Sequence, residues 1–289
     1  MEDRDGMTTL GVIGGSGLYD LPGLQDVEEV MIETPYGVPS SPIVRGLLGD
    51  TTLLFVARHG RGHTLTPTAV PYRANIFALR DLGARQVLSV SAVGSLREDL
   101  PPGSAVLPDQ IIDRTVSRPR TFFEQGVVAH VGLADPYCET LRQRLAPVVG
   151  SVVGEVTTTG TYLCIEGPQF STRAESNLYR QWGAAIIGMT AMPEARLARE
   201  AGLCYATLAF VTDYDVWHDT AEDVTVEMVR RVLAANVAAG QDVVRRLALA
   251  ESEACDRGCA TALDGAIITD PTQLTPEAHE VVARFRGPS

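Results

Sequence analysis

The sequence predicts a three-layer α/β domain, and three observations predict it. Short apolar runs, many of them β-branched and bounded by glycine or proline, recur along the chain, as strands buried in an α/β sheet do. Stretches of helical periodicity lie between them, so strands and helices alternate. With 289 residues, 45% of them hydrophobic, the chain is long enough to bury a core as one large domain or two small ones.

Taken in order, strands are expected over residues 10–13, 52–57, 86–93, 104–112, 185–189 and 204–211. Helices are expected over 72–82, 136–149, 171–182 and 194–201. A last long helix over 224–247 follows Asp223, a residue suited to capping it. No repeat, low-complexity tract or Pro/Gly/Ser linker appears before residue 250, so residues 1–250 read as a single domain. Residues 251–289 carry a weaker pattern and form a C-terminal tail.

Composition excludes several function classes. The formal net charge is −12, which disfavours any broad attraction to nucleic acid or an anionic membrane. All 24 basic residues are arginine, so neither a Walker-type phosphate loop nor a Schiff base is available. Anions must be held by arginine, histidine, hydroxyls and backbone N–H groups. The five cysteines form no CxxC pair and read as reduced thiols, mostly small core residues. Cys255 and Cys259 are spaced to meet on one helix turn, read as a surface coincidence with no metal bound. A polar, acidic start and the lack of a membrane-length apolar stretch point to a cytoplasmic protein.

Chemistry concentrates where apolar runs end. The run at residues 11–17, GVIGGSG, passes from a strand into glycines and Ser16, which lets backbone N–H groups converge on an anion. A tight strand–helix turn reads equally well from these residues alone. Residues 58–63, RHGRGH, put Arg58 and His59 at the end of a second run; arginine's planar fork suits phosphate oxygens. A third run ends in Ser89, Ser91, Ala92 and Gly94. Ligands of open α/β sheets sit outside the carboxyl ends of the strands, so three such ends are expected to share one phosphate. Phe170 is a candidate stacking platform for a purine, or else a core side chain, and Ser171 a candidate N-cap. Met189 and Thr190 offer an apolar face and a hydroxyl to a sugar. Finally, Asp213 and Asp215 close an apolar strand at i and i+2 and face one side if the backbone stays extended. Burying both is costly unless one is protonated or each finds a partner.

These stretches, with IEGPQFSTRAES, GMTAMPEARLAREAG and VTDYDVW among them, resemble in order the methylthioadenosine phosphorylase branch of the purine nucleoside phosphorylase family from about residue 11 to 229. The resemblance implies a mixed, partly barrel-like central sheet. It implies phosphorolysis of 5′-deoxy-5′-methylthioadenosine, or a closely related 5′-modified adenosine, to adenine and a ribose 1-phosphate. Inorganic phosphate is then a co-substrate and no cofactor or metal is needed. The phosphate pocket would comprise Ser16, Arg58, His59, Ser91, Ala92 and Thr190. Met189 matches a residue that offers its backbone to the ribose, and Phe170 and Ser171 match residues lining the purine site. Asp213 and Asp215 match the catalytic aspartates that read N7 and the exocyclic amine. His130 matches a histidine lent to a neighbouring subunit's site, so the resemblance implies a homotrimer with sites at the interfaces. Val224, Val226 and Val229 fall where the family builds its methylthio pocket, which its C-terminal helix often closes. Gly188 departs from the asparagine of many relatives, and Ser16 and Ser91 replace threonines. A nucleosidase using water and a 6-oxopurine phosphorylase are the alternatives.

Overall fold

The computed structural model describes residues 8–15, 17–124, 126–218 and 226–286, the side chains of residues 226–235 and of Arg286 excepted. In chain order its elements are β1 (Thr8–Gly14), β2 (Gln25–Val30), β3 (Ile43–Leu48), β4 (Thr51–Ala57), α1 (Tyr72–Asp81), β5 (Gln86–Ser95), β6 (Ala105–Val106), β7 (Gln110–Asp113) and α2 (Glu139–Val153). There follow β8 (Val156–Thr157), β9 (Thr161–Cys164), α3 (Arg173–Gln181), β10 (Ala184–Gly188), α4 (Ala191–Glu200), β11 (Cys204–Asp213), α5 (Val226–Leu249) and α6 (Pro276–Arg286).

Alternation along the central strands builds two cores. On β5, Val87 and Val93 face one side while Leu88 and Val90 face the other; on β11, Tyr205 and Ala209 oppose Ala206 and Phe210. Both strands are almost wholly buried, which period-2 side chains allow only when each face is covered. Helices α1 and α4 cover the first face through Ile76, Phe77, Leu79, Ala195 and Leu197. Helices α2 and α5 cover the second through Leu141, Leu145, Val149, Val243, Val244 and Leu247. The result is the expected three layers around a mixed sheet.

The sheet is mixed because β5 changes neighbours along its length. Gln86–Ser89 pair in parallel with Leu10–Ile13 of β1, whereas Gly94 and Ser95 pair antiparallel with Ile187 and Ile186 of β10. The opposite edge of β5 pairs with β11 nearly throughout. Residues 90–93 therefore lack a ladder partner on the β1/β10 side. Ala92 is exposed there between buried neighbours, so the sheet opens at this point.

Four local expectations need correction. The run over 104–112 is two strands, because Pro108 lacks the N–H a ladder needs. The N-cap of α3 is Thr172, not Ser171: its hydroxyl accepts from the Glu175 N–H while Glu175 reaches back to Thr172, a complete capping box. The backbone does not stay extended through Asp215, whose φ is +52°. Cys255 and Cys259 share no helix turn, since the chain after α5 is irregular and Cys259 is buried.

Beyond residue 250 the chain packs onto both cores, Cys259 on the second and Leu263, Ala266, Ala278, Val282 and Phe285 on the first. Among the described residues, no helix is long and apolar enough to cross a membrane.

Candidate active site

The gap beside residues 90–93 gathers most of the residues singled out from the sequence. Arg58 follows β4 and continues its pairing, its backbone N–H donating to Gly14 O at 2.9 Å. Its guanidinium is buried and tied to Glu194 of α4 through Nε to Oε1 at 2.5 Å and Nη2 to Oε2 at 3.1 Å. Nη2 also donates to Ser89 Oγ at 2.6 Å, and Nη1 to the Val90 carbonyl at 3.0 Å. That carbonyl is free to accept because β1 has ended. Burial alone would lower the Arg58 pKa, but the Glu194 carboxylate overcomes it and holds the cation charged. Of the five guanidinium protons, one on Nη1 has no partner among the described residues.

Ser91 and Thr190 meet across the gap, their hydroxyl oxygens 3.3 Å apart and both buried. Thr190 is free for this because it caps α4 without a side-chain bond. His59 is half-buried, its Nδ1 2.9 Å from Leu65 O and its ring stacked on His63 at 4.3 Å. Burial, then the Arg58 charge, push its pKa down to about 4, so the imidazole is neutral at pH 7. Arg61 turns away to an exposed pair with Glu29.

The carboxylates stand at the far end of the same strand pair. Asp213 accepts from Thr212 Oγ1 at 2.7 Å and from the Asp215 N–H at 2.8 Å. The positive φ of Asp215 permits this turn and sends its own side chain to Ser176 Oγ on α3, at 2.5 Å. Burial raises both carboxyl pKa values above the ordinary range; hydrogen bonds hold each down in part, and the Asp213 charge adds to the rise at Asp215. Trp217 anchors the segment, donating to Ser95 O at 2.8 Å beneath the Arg180 guanidinium, 3.5 Å from its ring. A Cβ on Gly94 would lie 3.0 Å from Asp213 Oδ1, so glycine is needed for the close approach. From Ser91 to Gly94 is three strand residues, about 10 Å, the scale of a nucleoside.

Four further residues complete the arrangement, and sequence reasoning did not single them out. Glu194 orients Arg58, Ser176 orients Asp215, and Tyr162 fills the space beside Gly188. A Cβ on Gly188 would lie 2.0 Å from Tyr162 Oη, so the tyrosine ring from β9 occupies the space that a side chain here would need. The fourth is Arg118, whose fully buried side chain binds the carbonyls of Met189, Met192 and Glu166, each at 2.6 Å, and the Glu166 carboxylate at 3.2 Å. It thereby fixes Met189 and the loop leading to Phe170.

Phe170 is exposed on that loop rather than packed in the core, and the Ser171 hydroxyl is buried with no partner among the described residues. Val226 and Val229 lie on α5, whose later turns are fastened to the glycine turn by Gln241 Nε2 donating to Gly17 O at 2.7 Å. Ser16 and Val224 lie outside the described residues. His130 stands apart: it is exposed, and its backbone N–H donates to Ala266 O at 2.8 Å. No hydrogen bond or ring contact among the described residues joins its side chain to the others.

This geometry can be set beside known proteins. Residues 9–248 match the family model of the phosphorylase superfamily. The chain is 49% identical to the S-methyl-5′-thioadenosine phosphorylase of Geobacter sulfurreducens, covering 94% of this chain and 95% of that one. It is 51% identical to the enzyme of the same name from Chloroflexus aurantiacus, with 96% and 97% covered. The chain belongs to the methylthioadenosine phosphorylase family. A solved family member from an antarctic soil metagenomic library superposes with a TM-score of 0.90 at 47% identity, covering 96% of this chain and 99% of that one. The family enzyme of Schistosoma mansoni, solved with adenine, superposes with a TM-score of 0.83 at 34% identity, 90% and 99% being covered. The mixed three-layer sheet is thus the family's fold.

Proposed function

We propose that the chain catalyses phosphorolysis of 5′-deoxy-5′-methylthioadenosine, yielding adenine and 5-methylthioribose 1-phosphate. The observation that carries this is the carboxyl pair at the end of β11, Asp215 buried and Asp213 half-buried, both with raised pKa values and set one nucleoside length from a cation and two hydroxyls. Breaking the glycosidic bond builds positive charge on the sugar and negative charge on the purine. Phosphate at Ser91, Thr190, Ala92, His59, Ser16 and the free Nη1 proton of Arg58 stabilises the first. Asp213, whose carboxyl pKa is raised by partial burial, gives a proton to N7 and relieves the second. Asp215, held by Ser176, accepts from the exocyclic amine.

A 6-oxopurine would set a carbonyl oxygen against that carboxylate, a loss of about 1–3 kcal/mol or more. Phe170 stacks on the base beside Ser171, and Met189 offers its backbone to the ribose. Val224, Val226 and Val229 line the methylthio pocket. His130, lying apart in the single chain, serves a neighbouring subunit of a homotrimer, and the enzyme works in the cytoplasm.

The test is turnover of methylthioadenosine, adenosine and inosine, each with and without phosphate. Adenine release that requires phosphate, fastest for methylthioadenosine and weakest for inosine, is expected. Equal release with phosphate omitted would make the enzyme a hydrolase.

A further inference from the structure

Four of the five cysteines gather at the opposite end of β11 from the carboxylates. Cys138, Cys204, Cys255 and Cys259 place every Sγ within 4.8 Å of the other three. They come from three parts of the chain: Cys138 is the N-cap residue of α2, Cys204 opens β11, and Cys255 and Cys259 lie on the irregular segment after α5. The start of β11 is nine residues from Asp213 along an extended strand, about 30 Å, so the cluster is no part of the nucleoside site.

Four thiols in one place are poor partners for each other as neutral groups, each being a weak donor and a weak acceptor. Two geometries make better use of them. A disulfide needs its sulfurs about 2.05 Å apart. A tetrahedral zinc ion with Zn–S bonds of about 2.3 Å sets its sulfurs about 3.8 Å apart. Cys138 Sγ and Cys255 Sγ are 3.7 Å apart, the zinc spacing.

Positive groups and N–H donors surround the cluster, as a metal-bound thiolate needs. Cys138 sits at the positive end of a 15-residue helix. Arg199 Nη1 lies 3.6 Å from Cys259 Sγ, and the Arg257 backbone N–H donates to Cys255 Sγ at 3.4 Å. Such N–H donors orient and stabilise metal-bound sulfur. The Cys255-x-x-x-Cys259 spacing suits a short chelating loop. Three of the four residues are buried and Cys255 is half-buried, so no coordination position opens to substrate.

We propose that Cys138, Cys204, Cys255 and Cys259 hold one zinc ion as a closed tetrathiolate that fastens the segment after α5 to α2 and β11. Binding converts the thiols to thiolates and releases their protons to solvent. The ion is structural, and the nucleoside chemistry does not pass through it.

Metal analysis of the protein purified under reducing conditions without chelator is expected to find one zinc per chain. The zinc-free, reduced protein titrated with Co²⁺ should develop thiolate-to-cobalt charge-transfer absorption and tetrahedral d–d bands, saturating at one equivalent and erased by zinc. A Cys255→Ser/Cys259→Ser variant should drop from one zinc to none, melt at a lower temperature, and keep phosphate-dependent adenine release. Should that variant fail to fold, the metal content and cobalt spectrum of the unaltered protein decide. Zinc-free protein that gives no tetrahedral cobalt spectrum, whether its thiols are free or mapped as disulfides, overturns the proposal. Loss of phosphorolysis in a protein that still holds zinc would overturn the functional reading and leave this one standing.

Discussion

Asp213 shows how one residue changes character on folding. In solution its carboxyl is ionised at pH 7; at the end of β11 burial raises its pKa, although Thr212 and the Asp215 N–H pull the other way. The folded pKa lies above the unfolded one, so the linked stability is fully present below the ordinary carboxylate range and is lost as pH rises through the raised value. Activity has the same sign, because only the protonated acid can serve N7. The rate with methylthioadenosine should therefore fall on the alkaline side of that ionisation. Asp213→Asn should lower kcat about 10²–10³-fold and erase that limb of the pH profile, with methylthioadenosine and adenosine alike. Unchanged kinetics on both substrates would sink the acid role.

Among the elements, the joints matter more than the elements themselves. Arg118 stands in the long connection between β7 and α2, yet its guanidinium ties the loop after β9 to the turn after β10. Replacing it with methionine keeps the bulk but leaves the carbonyls of Met189, Met192 and Glu166 without this donor, while the Glu166 carboxylate keeps Thr68 Oγ1 and the Val116 and Ser117 N–H groups. Leaving a buried carbonyl without its donor costs about 1–3 kcal/mol, and three lose theirs together. Thermal melts of Arg118→Met should show a Tm roughly 10 °C lower, at about 2–4 °C per kcal/mol. The KM for nucleoside should rise as well, since Met189 and the loop carrying Phe170 lose their common anchor. A variant as stable as the parent would show that the joint is redundant.

At the scale of the whole molecule, the tail belongs to the core. Phe285 of α6 lies against Phe77, Phe122 and Phe123, with ring centroids 5.6, 4.7 and 5.3 Å away, and its carbonyl accepts from Arg80 at 2.6 Å. Phe285→Ala removes a buried ring at a cost of about 3–5 kcal/mol. One calorimetric transition, shifted down as a unit, is expected. A small early transition followed by an unshifted main one would mean that the tail melts alone.

The central strands and most helices were legible because their signals are local: β-branched runs, helical periodicity and glycine at the strand ends. β2 was not, because nearly all its residues are exposed and no apolar alternation marks it. β8 and β9 span only two and four residues, too short for a period to show. The sequence by itself determined the chemical inventory of the site: arginine in place of lysine, hydroxyls at strand ends, and two aspartates closing one strand. Only the tertiary structure decided what those groups became. Arg58 meets Glu194 across 136 residues, and four cysteines converge from three segments. Charge state follows from desolvation and partners, which depend on distance in space and leave no periodic trace along the chain.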